Sequence, residues 1–331
     1  PATVTDGDNT FAVVGIQTYA FSSQKPMLGS RATELPPHAD LTGTLTIECS
    51  GTIGLFAFDG CSDLTGTLNI PASVTKIEYY AFCGCSGLTG TLDIPANVTD
   101  IGDYAFASCT GLTGLTLNNS GFIGNHAFAD CSGLSGMLTI PSSVTDIYER
   151  AFNVCTGLSG LTLKNSGNIG GSAFFRCTGL TSVYFSASIS GIASGLFDDC
   201  SSISSLTFDS PTAPYFAPVG NIFKDVASIG TLYYPEGGAG YDALLSDYLP
   251  SGWVAKVGNA TVGFSNALSV RAISGGLQVS GLVPGESLAL YNMQGGLIYN
   301  AEASANEQLL PLREHGIYII VSGKRTAKAV Y

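Results

Sequence analysis

A cysteine recurs seven times along this sequence, at intervals of 22 to 24 residues. Each one lies three residues after a phenylalanine, so that a segment of the form Ala-Phe-x-x-Cys returns with little variation. The phenylalanines are Phe58, Phe82, Phe106, Phe128, Phe152, Phe174 and Phe197, and the cysteines are Cys61, Cys85, Cys109, Cys131, Cys155, Cys177 and Cys200. A period of this length is typical of a solenoid, in which one coil cannot bury its apolar face without its neighbours.

The residues within one unit indicate how a coil is built. Apolar and polar residues alternate in Leu115-Thr116-Leu117, as a short half-buried strand requires. A segment of the form Pro-x-x-Val-Thr-x-Ile, or Asn-x-Ser-Gly-x-Ile in shorter units, then turns the chain. The Ala-Phe-x-x-Cys segment has apolar residues at i and i+3, which favours a 3₁₀ or short helical turn on the opposite wall. The unit predicts a leucine-rich repeat solenoid of short strands and such turns.

The same stacking predicts a role for the seven phenylalanines and the seven cysteines. Equivalent residues of consecutive coils lie about 4.8 Å apart, so both sets are expected to form inward-facing structural ladders. The thiols would be reduced and would pack as small apolar side chains. Register explains their spacing without disulfides, and no CxxC pair or histidine partner recurs to suggest a metal. Cys49 and Cys83 lie off the ladder, and a bond between these two is left open.

Composition narrows the class of protein further. Only 11% of the 331 residues are charged, the net charge is −12 and the mean hydropathy is +0.30. An acidic balance disfavours binding to nucleic acids and to anionic membrane surfaces. No apolar run approaches the roughly 18–20 residues of a transmembrane segment. The start, Pro1–Asp6, lacks the basic and apolar regions of a signal peptide, so we interpret the chain as a mature or trimmed product, with a monomer favoured.

The repeat predicts a solenoid domain over residues 1–257. Val14–Phe21 has the form of a degenerate repeat without its cysteine, and the proline-containing Ser22–Asp40 is expected to be an inserted loop. At the other end, Tyr241–Leu249 is predicted as one short amphipathic helix, and Trp253 as a hydrophobic plug on the last coil. Terminal repeats need such capping because they have only one neighbour.

The repeat disappears after about residue 258. Residues 258–331 instead contain seven short alternating segments separated by turns, which predicts a small antiparallel β-sandwich. The predicted strands are Leu268–Ala272, Leu277–Val279, Ser287–Asn292, Leu297–Asn300, Gln308–Pro311, Gly316–Ser322 and Thr326–Val330.

At this point the repeat resembles a known family. The pattern Ile-Pro-x-x-Val-Thr-x-Ile-x-x-x-Ala-Phe-x-x-Cys-x-x-Leu, clearest at residues 70–88 and 140–158, resembles the BspA-like leucine-rich repeats over about residues 10–257. These repeats are common in surface proteins of Bacteroidetes and some protists, so the resemblance implies an extracellular or bacterial cell-surface location. Leu290–Tyr299 and Leu310–Val321 resemble elements of the carboxy-terminal sorting domains of Bacteroidetes secreted proteins. That resemblance implies a sorting or attachment function for the tail.

The sequence contains no constellation typical of an enzyme. His38, His126 and His315 share no motif with a candidate nucleophile, and His126 is interpreted as a surface residue. Paired Asp198-Asp199 carboxylates attract cations in principle, and Asp6-Gly-Asp8-Asn9 resembles the start of a calcium loop. The bidentate glutamate of such a loop is absent, however. We therefore predict a protein without catalytic activity, cofactor or metal.

A binding function is the remaining class. One outward residue of each coil lies between the two aliphatic residues of the strand, and these residues are expected to form a stripe of mostly hydroxyl groups. The stripe consists of Thr46, Asn69, Asp93, Thr116, Thr139, Thr162, Tyr184 and Thr207. Threonine suits any exposed strand, so plain scaffolding is one interpretation. The sharper hypothesis is a flat, uncharged recognition surface, with Tyr184 and Asp93 as its most distinctive members.

Two functions therefore stay open. The first, which the resemblance favours, is an adhesion or binding protein whose solenoid binds a host or microbial protein or glycan. The second is a structural spacer of the cell envelope without a specific ligand.

Overall fold

The chain forms two compact units, Pro1–Ala260 and Thr261–Tyr331. In this computed structural model, the described residues of the first unit are 2–6, 9–13, 42–47, 50–189, 191–216 and 222–257. Those of the second unit are 269–273, 276–280, 282, 287–292, 296–303, 307–312, 317–322 and 325–330.

The first unit is built from short strands and a single short helix within its described residues. The strands are β1 (Ala2–Asp6), β2 (Asn9–Val13), β3 (Gly43–Thr46), β4 (Gly51–Ile53), β5 (Leu64–Asn69), β6 (Val74–Ile77), β7 (Leu88–Ile94), β8 (Asp100–Ile101), β9 (Leu112–Leu117), β10 (Phe122–Ile123), β11 (Gly136–Ile140), β12 (Leu158–Leu163), β13 (Ser182–Phe185), β14 (Gly191–Ile192), β15 (Ser205–Phe208), β16 (Tyr215–Phe216), β17 (Ile229–Tyr234) and β18 (Gly252–Val257). The helix is α1 (Tyr241–Asp247).

Consecutive coils place their strands side by side in parallel sheets, and the predicted leucine-rich repeat solenoid is confirmed. One wall contains the order β3-β5-β7-β9 and, after an interruption, β11-β12-β13-β15-β17-β18. A second wall contains β4-β6-β8-β10 and β14-β16. At the interruption, the backbone N–H of Ser135 still donates to the carbonyl of Thr113 at 3.1 Å, so the coils stay in contact.

An antiparallel hairpin begins the solenoid. β1 pairs with β2 and also, in antiparallel direction, with β3. Asp6 lies opposite Asn9 in this hairpin, so the segment that resembles a calcium loop joins two paired strands instead. Gly-Asp between two strands is a favourable two-residue hairpin connection, a signal that the sequence analysis passed over. The predicted degenerate repeat Val14–Phe21, the loop Ser22–Asp40, His38 and Cys49 lie outside the described residues.

The Ala-Phe-x-x-Cys wall contains single turns with i→i−3 hydrogen bonds, as expected, and these bonds alternate with bonds to the next coil. The backbone N–H of Phe82 donates to the carbonyl of Ala105 in the next coil at 2.8 Å, whereas the N–H of Cys83 bonds within its own turn, to Tyr80 at 3.3 Å. Residues two before and two after the phenylalanine have positive φ, here 56° at Tyr80 and 72° at Gly84. Because alternate N–H groups bond to the neighbouring coil, the turns of this wall cannot continue as a 3₁₀ helix.

The shorter units need glycine where the longer units have an extra residue. A Cβ on Gly121 would lie 1.5 Å from the carbonyl oxygen of Thr99 in the preceding coil. No side chain fits that gap, which explains the Ser-Gly step in the shorter form of the repeat.

The interior contains a continuous column of phenylalanine rings. Neighbouring rings stack with centroids 5.1 to 5.7 Å apart and planes within 13° of parallel, in the order Phe58, Phe82, Phe106, Phe128, Phe152, Phe174, Phe197 and Phe223. All of these rings are buried. Phe223 extends the column by one coil beyond the last cysteine, and Val226 lies buried at the position that the cysteine would occupy.

The cysteines fill a second column and contribute a hydrogen bond that the sequence analysis did not foresee. All seven are buried and none of them forms a disulfide. Each thiol from the second onward donates to the carbonyl of a phenylalanine in the preceding coil, as Cys131 does to Phe106 at 3.1 Å. Burial raises the pKa of six of these thiols, namely Cys61, Cys85, Cys109, Cys131, Cys155 and Cys177, to about 12 for Cys131. Cysteine therefore serves as a small apolar residue that also satisfies a buried carbonyl.

The last coil includes the lone tryptophan in a strand. Trp253 belongs to β18, which pairs in parallel with β17, and its indole N–H donates to the carbonyl of Ala227 at 2.7 Å. It lies buried in the strand that ends this sheet, and its role as a plug on the last coil stays a prediction. The helix α1 ends at Asp247, two residues earlier than the predicted Tyr241–Leu249.

The second unit contains antiparallel strands, as expected. They are β19 (Ser269–Ile273), β20 (Gly276–Ser280), β21 (Ser287–Asn292), β22 (Leu297–Glu302), β23 (Glu307–Pro311), β24 (Ile317–Ser322) and β25 (Arg325–Val330). Their orders are β19-β20-β23 and β22-β21-β24-β25. Buried residues of both sheets, among them Leu277 and Leu310 of one and Leu290 and Ile320 of the other, form a single apolar cluster. The sandwich arrangement itself stays a prediction.

The phenylalanine column predicts a large effect of truncation. Phe128 is fully buried, with rings at 5.3 Å and 5.2 Å on its two sides. Phe128→Ala should lower the free energy of unfolding by about 3–5 kcal/mol, because it opens a cavity between two fixed coils. Chemical denaturation monitored by circular dichroism measures this. The exposed control Thr110→Ala should change little, and an equal effect of both variants would contradict the role of the column.

Thiol reactivity tests the cysteine column. At about pH 8 the burial of the seven thiols should keep them unreactive toward a thiol reagent in the folded protein. All seven should react once the chain is denatured without reductant. Rapid modification of any of the seven thiols in the folded protein would contradict a reduced buried column. Failure of these thiols to react after denaturation would contradict it as well. Cys83, which is free and half-buried, serves as the internal comparison.

Candidate binding surface

The eight residues of the predicted stripe lie in one row of the strand wall, which we call the strand row. The register pairs Thr46 with Asn69, Asn69 with Asp93 and Asp93 with Thr116 in the first sheet, and Thr139 with Thr162, Thr162 with Tyr184 and Tyr184 with Thr207 in the second. The row is interrupted between Thr116 and Thr139, because β9 and β11 are not paired.

The strand row also continues beyond the residues that the sequence analysis named. Thr207 pairs with Tyr233, and Tyr233 pairs with Lys256 of β18. The repeat is degenerate there, which is why the prediction stopped at Thr207. Aligning Leu232-Tyr233-Tyr234 with Leu206-Thr207-Phe208 would have found Tyr233.

Two members of the row do not face solvent, contrary to the expected uniform stripe. Thr162 is 8% exposed and Thr207 is 2% exposed. Thr207 lies between Tyr184 and Tyr233, whose rings are longer than the strand spacing and cover it. The hydroxyl of Thr162 lies 3.8 Å from the sulfur of Met137. The row is therefore not a uniform array of accessible hydroxyls.

The other predicted members differ in accessibility. Thr46, Asn69, Asp93 and Thr116, all in the first sheet, are exposed. Thr139 and Tyr184 are half-buried. Accessible polar groups therefore concentrate before the interruption, and aromatic groups after it.

The row ends in a group of aromatic and charged side chains, which we call the tyrosine end: Tyr184, Thr207, Asp209, Tyr233 and Lys256. The hydroxyl of Tyr184 donates to a carboxylate oxygen of Asp209. Burial and this hydrogen bond raise the pKa of Tyr184 above its usual range. The ammonium group of Lys256 lies 5.7 Å from the ring centroid of Tyr233, a cation–π distance. Two rings, a carboxylate and an ammonium group are thus held close together on one surface.

Three further candidates of the sequence analysis, Asp198, Asp199 and His126, have structural partners, whereas His315, like His38, lies outside the described residues. A carboxylate oxygen of Asp198 accepts the backbone N–H of Lys224 at 3.1 Å, and Asp199 bonds to Arg176 at 3.1 Å. His126 packs edge-on against Tyr104 in the second wall, and burial lowers its pKa. In the part of the chain that the structure describes, no three His, Cys, Asp or Glu side chains form a group suited to a metal ion.

Helices contribute little to the solenoid unit. No helix that the structure describes has the length and apolar character needed to cross a membrane. The coiled parallel strands and their side-chain columns define a leucine-rich repeat solenoid protein. Residues 44–159 and 111–216 match the BspA type Leucine rich repeat region, in six copies. The chain belongs to this BspA-type leucine-rich repeat family.

Solved structures include similar chains. A leucine-rich repeat protein of T. pallidum is 24% identical, over 62% of this chain and 84% of that one, with a TM-score of 0.39. A leucine-rich repeat protein from Bacteroides ovatus is 20% identical, over 78% and 90%, with a TM-score of 0.29. A leucine-rich cell surface protein from Faecalibacterium prausnitzii is 21% identical, over 79% and 87%, with a TM-score of 0.32. No curated protein matches the chain.

The hydrogen bond between Tyr184 and Asp209 predicts a titration behaviour. Its contribution to stability is fully present below the unfolded tyrosine pKa of about 10, and is lost as the pH rises through the higher pKa of the folded state. Asp209→Asn should therefore lower the pKa of Tyr184, visible as one tyrosine ionising earlier in an ultraviolet absorbance titration. Asp209 also contributes to the raised pKa of Tyr241, about 12, where burial is the larger cause.

The two tyrosines can be separated by a second variant. In a Tyr184→Phe background, Asp209→Asn should leave only the smaller shift of Tyr241. If the full shift persisted without Tyr184, the assignment of the hydrogen bond would be wrong.

Proposed function

We propose that this protein is a non-enzymatic, extracellular or cell-surface binding protein that acts in adhesion, and that its strand row binds a host or microbial protein or glycan. Membership of the BspA-type family supports a binding or scaffold role. The strand row supports the choice of surface, because parallel strands fixed on both sides hold their outward side chains at regular spacing.

The tyrosine end is the observation that carries this proposal. Tyr184 is oriented by its bond to Asp209, and Tyr233 is contacted by Lys256, so neither ring needs to be ordered when a ligand arrives. Rigid tyrosines contribute contact area at a low entropic cost and are enriched where proteins bind their partners. Asp93, exposed in the other half of the row, is the second candidate contact.

The carboxy-terminal region, residues 258–331, has a separate role in this proposal. Its resemblance to sorting domains supports a function in secretion or attachment, with the solenoid left free to bind. The antiparallel strands β21 and β24 contain Leu290–Asn292 and Ile317–Val321. Strands at these positions are compatible with the hairpin and the strand of the sorting domains that the region resembles.

A ligand array with matched variants tests the strand row. The intact chain is applied to arrays of glycans and extracellular-matrix proteins, and the double variant Tyr184→Ala/Tyr233→Ala is compared with Asp93→Ala and with the control Tyr215→Ala. Tyr215 is 67% exposed and lies outside the row. The double variant should weaken binding at least 10-fold, an order of magnitude typical of the loss of an interface hot spot. The melting temperature should fall only modestly, through the loss of the Tyr184 hydrogen bond and of the packing of both rings beside Thr207.

A structural spacer of the cell envelope is the alternative function, supported by the continuous core of the solenoid. Uniform absence of binding across the arrays would favour the spacer. Binding that survives in both row variants would reject the strand row as the binding surface, whatever the ligand.

A further inference from the structure

The second wall presents aromatic side chains that belong neither to the buried core nor to the strand row. The rings of Phe56, Tyr80 and Tyr104 stack in succession, with centroids 5.0 Å and 4.6 Å apart. His126 ends the stack, edge-on to Tyr104 at 4.6 Å. All four residues have positive φ, between 54° and 57°, and are only half-buried. The repeat thus places one ring per coil in register along the outside of four coils.

Tyr79 lies across this stack. Its ring centroid is 5.4 Å from Phe56 and 6.0 Å from Tyr104, with interplanar angles of 74° and 78°. Both faces of Tyr80 are covered by the neighbouring stacked rings. The ring of Tyr79 packs beside the stack, and the residue is 36% exposed, so part of it is accessible to a ligand. The quadrupoles of aromatic rings favour such steeply inclined pairs.

The orientation of Tyr79 is fixed before any ligand arrives. Its side chain shares a hydrogen bond with that of Tyr80, which together with burial raises the pKa of Tyr80 above its usual range. The ring centroids of these two residues are 4.2 Å apart. We call Phe56, Tyr79, Tyr80, Tyr104 and His126 the aromatic platform: the partly exposed ring of Tyr79 packed beside a stack of three rings that His126 ends.

The polar side chains that neighbour the platform in sequence are engaged with one another. Lys76 and Glu78 form an ion pair at 3.1 Å. Asp103 accepts two hydrogen bonds from Asn125, one from its backbone N–H at 2.8 Å and one from its side-chain amide at 3.1 Å, and keeps its negative charge. These four residues, which we call the rim of the platform, provide ammonium, carboxylate and amide groups.

Strand pairing, the arrangement of the rings and the acidic net charge together disfavour several classes of ligand at the platform. An extended peptide cannot add beside the inner strands β6 and β8, because both already pair on each side. A quaternary ammonium group binds best in a cage of several ring faces, whereas Phe56, Tyr80 and Tyr104 are stacked on one another. Anionic ligands are repelled by a chain with a net charge of −12.

A neutral sugar fits the features that remain. The C–H groups on one side of a pyranose ring carry slight positive charge and stack on the negative face of an aromatic ring. Its hydroxyl groups can bond to the carboxylates and amides of the rim. We propose that the aromatic platform is a second binding site, distinct from the strand row, that binds a neutral glycan by stacking a pyranose ring on Tyr79.

Affinity electrophoresis of the full chain tests this proposal. The probes are four neutral polysaccharides, namely laminarin, glucomannan, arabinoxylan and dextran, with polygalacturonate as the acidic comparison. At least one neutral probe should retard the native chain, and polygalacturonate should not. Tyr79→Ala should weaken that retardation at least tenfold, whereas Tyr79→Phe and Tyr79→Trp keep a flat ring and should retain most of it. Tyr215→Ala, which removes an exposed ring elsewhere on the solenoid, should leave it unchanged.

The outcomes separate this site from the strand row. Retardation lost in Tyr79→Ala and kept in Tyr184→Ala/Tyr233→Ala supports the platform, even if the strand row binds nothing. The reverse pattern assigns the glycan to the strand row and overturns the platform. If none of the four neutral probes retards the chain, the platform proposal is overturned. It is also overturned if Tyr79→Ala weakens the binding of a protein ligand but of no glycan. Circular dichroism confirms that each variant is folded.

Discussion

The stacking of one coil on the next is the interaction on which this structure depends. In the column from Phe58 to Phe223, each inner ring packs between the rings of its two neighbours, while the backbone of the same turn donates hydrogen bonds to the next coil. Apolar burial and backbone pairing therefore require the same axial repeat. A strand spacing of about 4.8 Å and a ring stacking distance a little above 5 Å are compatible only if the coils are nearly identical. This is why the repeat tolerates so little variation in its interior.

The same constraint explains the surfaces. Because the interior fixes every coil in register, any outward position of the repeat becomes a straight row of side chains. The strand row and the aromatic platform are two such rows, on two walls. Their chemical character comes from positions that the core leaves free to vary, such as Tyr184 between Thr162 and Thr207, or Tyr80 between Phe56 and Tyr104. Binding sites can thus be assembled without any change in the fold.

Much of the fold was predictable because its determinants are local and repeated. The Phe-x-x-Cys spacing alone placed the core columns, and alternating residues such as Leu115-Thr116-Leu117 placed the strands. The thiol bond from Cys131 to Phe106 was not predictable, because it depends on the conformation of a turn in the preceding coil. The break between β9 and β11 was not predictable either, since both strands carry acceptable strand sequences.

For the candidate sites, the contribution of the sequence and that of the tertiary structure separate more clearly. By itself the sequence determined which residues share a row, because a constant period puts equivalent positions in register, and so the eight members of the strand row could be named in advance. The tertiary structure decided which of them reach solvent. Thr207 is covered because large rings flank it, and Tyr79 is exposed because it lies across a stack formed by residues of three coils. Accessibility depends on the sizes of neighbours that are distant in sequence, and a repeat pattern does not contain that information.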